Sequence, residues 1–146
     1  ISPHELGLAP TKKHPRVLGT LMEIGYPEGA ATLVALLDGT VSLYSSNGGG
    51  IIGAGEHASV RRAAMRFIST AEQYVESLQK TSEYPLPETG RVRFYFLTFS
   101  GVFTGDFDEK LLGEGRHKLS KLFYAGHDVI TAIREVEERL GRSQPR

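Results

Sequence analysis

The chain contains no cysteine. That excludes disulfides, thiol nucleophiles and Cys-based zinc sites together. It also suits a reducing compartment, so a cytoplasmic protein is expected. Charge of either sign in excess is missing too: Lys+Arg and Asp+Glu number 17 each, for a formal net charge of +0. A balanced surface has no electrostatic footprint for nucleic acid or for an anionic membrane. No apolar run approaches the roughly 20 residues of a membrane-spanning helix, so no membrane insertion is expected. The opening residues Ile1-Ser2-Pro3-His4-Glu5 lack the basic and apolar regions of a signal peptide.

What is present is a globular composition, 40% hydrophobic and 23% charged over 146 residues. That length matches one ordinary domain and buries a real core, about two-thirds of the surface of the unfolded chain. Residues 1–13 carry Pro3, Gly7, Pro10 and a Lys12-Lys13 pair without periodicity and read as an N-terminal arm. Residues 14–141 read as a single α+β domain, and 142–146 as a C-terminal tail.

His14-Pro15 looks like a helix start, because proline is tolerated at the first helical position. Val17, Leu18, Leu21 and Met22 then fall at helical spacing, and the segment stops near Gly25 and Pro27. A strand over 17–24 is the alternative, and Gly19 weakens the helix. Two β runs follow, Ala31 to Leu37 and Thr40 to Ser46, joined by Asp38-Gly39, a hairpin signal. After the glycine-rich stretch Asn47 to Gly55 comes the clearest periodic segment, about Glu56 to Lys80. Its apolar stripe runs through Val60, Ala63, Ala64, Phe67, Ile68, Ala71, Tyr74, Val75 and Leu78. As a helix it spans about 35 Å. Arg91 to Phe99 and Val102 to Phe107 read as a second hairpin around Ser100-Gly101. The last helix runs from about Arg116 to Leu140. The expected fold is thus an antiparallel sheet of four to five strands flanked by three helices, in the order α-β-β-α-β-β-α.

Candidate chemistry is sparse. Gly48-x-Gly50-x-x-Gly53 formally matches the dinucleotide fingerprint between a strand and a helix, where backbone N–H groups cradle phosphate. Here the preceding strand belongs to a hairpin rather than to a parallel βαβ unit, which favours a connector and no cofactor. His4, His14, His57, His117 and His127 show no metal-ligand spacing. Asp106, Asp108 and Glu109 fail as a calcium loop, because Leu111 and Arg116 stand where Gly and Glu are needed. No Gly-x-Ser-x-Gly context surrounds a serine, so no hydrolase elbow is present. No catalytic site is expected, and the chain reads as a non-enzyme. Arg61, Arg62 and Arg66 cluster on the first turns of the long helix, either as a solvated face or as a patch for a partner. Arg91, Arg93 and Tyr95 lie on the longest and most aromatic strand. If that strand is an edge, these residues either protect it or join it to a second copy.

The stretch from Glu28 to Gly50, with its apolar strand, Asp-Gly turn, strand ending in small residues and glycines, followed by the long amphipathic segment, resembles the roadblock family of dynein-light-chain relatives. The resemblance covers residues 14 to 80. It implies a homodimer and a scaffold role, with a small GTPase as the partner to be regulated and no chemistry of its own. The family usually has three strands before its last helix, where this sequence shows two. Profilin-like, longin-like and PAS-like folds share an antiparallel sheet flanked by helices. A PAS- or profilin-like small-ligand sensor is therefore an alternative, with Phe94, Tyr95 and Phe96 lining a pocket or filling the core. A phosphate-binding glycine loop is a third reading.

Overall fold

The computed structural model describes residues 12, 15–51 and 53–141. The proposed arm, apart from Lys12, and the tail lie outside the described residues, as do His4 and His14. A seven-stranded, fully antiparallel sheet in the order β4-β3-β2-β1-β6-β7-β5 forms one layer. Its strands are β1 (Val17–Tyr26), β2 (Gly29–Leu36), β3 (Val41–Ser45), β4 (Gly50–Ile51), β5 (Gln79–Thr81), β6 (Arg91–Thr98) and β7 (Gly101–Asp108). The helices are α1 (Ala58–Glu72), the short α2 (Glu109–Gly113) and α3 (Ser120–Arg139).

The α+β class and the antiparallel sheet are as expected. The strand count and the element order are not. The segment expected as an N-terminal helix is β1, at the centre of the sheet between β2 and β6. A central strand is covered on both sides, so its residues are apolar in near-continuous runs, and such a run also satisfies helical spacing. Its glycines decide the matter. A Cβ on Gly19 would lie 2.5 Å from Leu36 Cδ2, and one on Gly25 would lie 2.0 Å from the Glu88 carbonyl oxygen. Pro27-Glu28 is then the tight turn into β2, with Tyr26 opposite Gly29.

The long helix is also shorter than its stripe. α1 stops at Glu72, a 3-10 turn follows at Val75–Ser77, and residues 79–81 become β5. The reason lies at its last residue. Glu72 Oε1 accepts the backbone N–H groups of Arg16 (2.9 Å) and Val17 (3.0 Å). The Arg16 guanidinium bonds Glu72 Oε2 and the Glu72 carbonyl, both at 2.7 Å, and reaches Glu76 as well. The chain entering β1 therefore takes up the end of α1. Val75 and Leu78 remain buried, but from a turn. The last helix is α3, and the polar stretch before it forms the short α2, capped by Asp108, whose carboxylate accepts Leu111 N–H at 3.1 Å.

Register pairs fix two faces. Met22 stands opposite Leu33 and Phe94, and Phe107 opposite Val92, all turned toward α1 and α3. Phe67 and Ile68 of α1 are fully buried there, as expected. α3 lies close against both layers, since a Cβ on Gly126 would meet Met22 Sδ at 2.7 Å and Phe67 Cε1 at 3.2 Å. No helix covers the opposite, outer face among the described residues. That face carries cross-strand rows, Leu36–Gly19–Leu97–Val102 and Thr32–Glu23–Arg93–Asp106.

Candidate functional site

The glycine-rich stretch divides into parts with different tasks. Gly48 and Gly49 have positive φ and turn the chain from β3 into β4, with Gly48 N–H donating to Ser45 O at 3.1 Å. Gly50 lies in β4 opposite Tyr44. Gly53 has φ of 78° and leads into a 3-10 turn, Ala54–Glu56, ahead of α1. Gly55 has no side chain because a Cβ would lie 1.8 Å from the Gly39 carbonyl oxygen. Arg61 Nη1 donates to the Gly55 carbonyl at 2.7 Å and braces this turn. Gly48, Gly50 and Gly53 thus serve a turn, an edge strand and a left-handed corner. They are not gathered into one cradle at the N-terminus of α1.

The arginines and Tyr95 are not one surface. Arg61, Arg62 and Arg66 are exposed on α1, on the helical side of the sheet. Arg91, Arg93 and Tyr95 belong to β6 and point to the outer face. β6 pairs with β1 on one side and β7 on the other, so the expected edge strand is an interior one. Its charges are used within the sheet. Asp106 binds Arg91 Nε at 2.7 Å and Arg93 Nη2 at 3.1 Å. The Tyr95 hydroxyl donates to the Pro85 carbonyl at 2.8 Å. Phe94 and Phe96 are fully buried in the core.

Among the described residues the sheet ends at β4 on one side and at β5 on the other, and a groove opens beside β4. Leu43, Gly50 and Ile51 form one wall and Ile130, Ile133 and Arg134 of α3 the other, around a volume of about 360 Å³. A second hollow of about 150 Å³ shares Ile51 and Ile133 and runs on to His57 and Leu140. Leu140 is 52% exposed at the end of α3. The groove arises because α3 reaches over the sheet edge where β4 is only two residues long. Its floor is apolar and its rim carries the charge of Arg134.

His117 and His127 pack against aromatic rings. Leu119 N–H donates to His117 Nδ1 at 3.0 Å, and the ring meets Phe107 edge-on at 5.0 Å. His127 packs edge-on against Phe123 at 4.4 Å; burial, then the charge of Arg134, push its pKa down. Among the described residues no group of three His, Asp or Glu side chains is placed to hold a metal ion. No helix among them is long and apolar enough to cross a membrane.

One buried group escaped notice in the sequence. Glu23 sits inside the apolar run Leu21-Met22-Glu23-Ile24 and is 8% exposed. A carboxylate in the middle of a central strand is itself the signal that could have singled it out. No protein-family model, curated protein or solved structure matches the chain.

Proposed function

We propose that this chain is a non-enzymatic protein-interaction module that acts as a homodimer. The observation that carries the reading is the apolar groove between β4 and α3, lying along one of the two sheet edges that the described residues leave unpaired. A free edge offers backbone donors and acceptors to a second strand, and a neighbouring groove accepts that strand's side chains. Leu140, Ile130 and Ile51 supply apolar surface next to it. A two-fold arrangement of this edge is self-complementary, the commonest closed assembly. The joint is placed here and no longer at β6, which is interior. The resemblance to the roadblock family adds a small GTPase as a candidate partner of the dimer.

The exposed rim gives the test. Arg134→Glu changes an exposed side chain of the groove and Leu140→Asp one of the adjoining hollow, both without entering the core. Under this reading the double variant keeps the wild-type melting curve and loses self-association by at least tenfold in dissociation constant. Unchanged self-association in the double variant would remove the groove as the interface.

A further inference from the structure

We propose that residues 82–90 form a strap over Glu23 that holds more tightly when the Glu23 carboxyl carries a proton and loosens when it is ionised. The geometry begins with the strap. Of residues 82–90, Pro87 alone is buried. The strap touches the outer face of the sheet at two places. At one, the Glu88 and Pro87 carbonyls press on Gly25, where a Cβ would lie 2.0 Å and 2.8 Å from their oxygens. At the other, Pro85 O accepts the Tyr95 hydroxyl at 2.8 Å and the Tyr84 ring packs on Tyr95 with centroids 5.7 Å apart. Glu23 is two residues from Gly25 on β1, and its cross-strand partner Arg93 is two residues from Tyr95 on β6. The pair therefore sits between the strap's two points of contact.

The charge of Glu23 is poorly compensated there. Oε2 accepts the Thr32 hydroxyl at 2.9 Å, while Oε1 is buried without a hydrogen-bond partner among the described residues. Arg93 faces Glu23 but turns its guanidinium away, Nη1 to Thr104 at 3.3 Å and Nη2 to Asp106 at 3.1 Å. Its Nε is likewise buried and without a partner. Asp106 in turn is shared with Arg91. The remaining groups around this spot are few. β2 contributes only the neutral Thr32, β6 contributes Arg91, Arg93 and Tyr95, β7 contributes Asp106 and Asp108, and the strap brings Glu83, Tyr84 and Glu88.

Burial drives the Glu23 carboxyl above its ordinary range, against the smaller opposing effects of Thr32 and Arg93. Linkage makes the relation reciprocal. If covering Glu23 favours its protonated form, protonation favours the covered state by the same factor. Loosening lets water reach Oε1 and Arg93 Nε. The strap also carries Tyr84 and Leu86, exposed by 61% and 54%, so its position sets where that apolar pair is presented.

Carbon-detected NMR of the whole chain tests this. The Glu23 carboxyl carbon and the strap amides of Leu86 and Thr89 are followed from about pH 3 to pH 8. The expected result is one shared midpoint, above that of an ordinary glutamate. In Tyr95→Phe, which removes the bond to Pro85, the Glu23 midpoint moves down. In Glu23→Gln the strap amides no longer titrate at that midpoint. A Glu23 midpoint unmoved by Tyr95→Phe overturns the proposal, whether or not the glutamine variant folds. So do strap amides that titrate unchanged in Glu23→Gln, because Glu83 or Glu88 then accounts for them.

Discussion

Replacing Phe67 with alanine removes the ring at the junction of both layers. Phe67 is fully buried on α1, with Gly126 of α3 close against its edge and Met22 of β1 beside them. The space cannot readily be refilled. Gly126 has no side chain to move, and Met22 already occupies the gap between the strand and α3. A buried Phe→Ala change costs about 3–5 kcal/mol, with the upper end applying where neighbours cannot collapse. For a domain of this size each kcal/mol lowers the melting temperature by about 2–4 °C, so a fall of about 6–20 °C is expected. Urea unfolding read by circular dichroism gives the free energy directly. The midpoint should drop while the slope stays constant, since the surface exposed on unfolding hardly changes. An unchanged midpoint would mean that this face of α1 is not against the sheet, and the two-layer arrangement would fall with it.

Glu72→Gln should weaken the joint between α1 and β1 in a pH-dependent way. Burial alone pushes the Glu72 carboxyl up, but the backbone N–H groups of Val17 and Arg16 and the Arg16 guanidinium outweigh it and hold it below the ordinary range. A lowered folded-state pKa contributes stability that is present above the unfolded value of about 4.5 and lost as pH falls through the folded one. Acid unfolding of the variant should therefore be shallower than wild type below about pH 4.5, and superimposable acid curves would refute the role of Glu72. Gly55→Ala places a Cβ 1.8 Å from the Gly39 carbonyl oxygen, so it should lower the urea midpoint, whereas Gly48→Ala, whose Cβ meets nothing within 4 Å, should cost only the strain of a positive φ. Equal midpoints for the two would contradict the division of the glycine stretch into packing and turning positions. Titrating NAD, ATP or GTP should leave the melting temperature unmoved, because a bound nucleotide at 100 times its dissociation constant would add about 2.7 kcal/mol; a shift with any of them would restore the phosphate-loop reading.

The parts of the fold legible in the sequence are those in which local chemistry and tertiary setting agree. Asp38-Gly39 turns between β2 and β3, with Gly39 at a φ of 96°, and the second hairpin turns at Phe99-Ser100, one residue earlier than expected, with Gly101 already in β7 opposite Thr98. The α1 and α3 stripes both face the sheet. β1 was legible as a strand only in the alternative over 17–24, because its buried apolar run erases the alternation that marks a half-buried strand. The end of α1 was not legible because Arg16, distant in sequence, decides it through Glu72. β4 and β5 are too short, at two and three residues, to carry a pattern of their own. β5 is drawn from residues that continue the helical stripe. The glycine stretch was legible as a connector. The groove was not, because its walls come from residues 43–51 and 130–140. The mistaken edge role of β6 followed from β1: with a helix in place of the central strand, the most aromatic strand falls at the margin.

Sedimentation equilibrium over a dilution series from about 100 μM to 1 μM, the range of many specific dimers, tests the interaction reading most directly. The prediction is a reversible species of twice the 16.0 kDa chain mass that dissociates on dilution and is lost in the Leu140→Asp, Arg134→Glu double variant. A single 16.0 kDa species at every concentration would contradict the dimer.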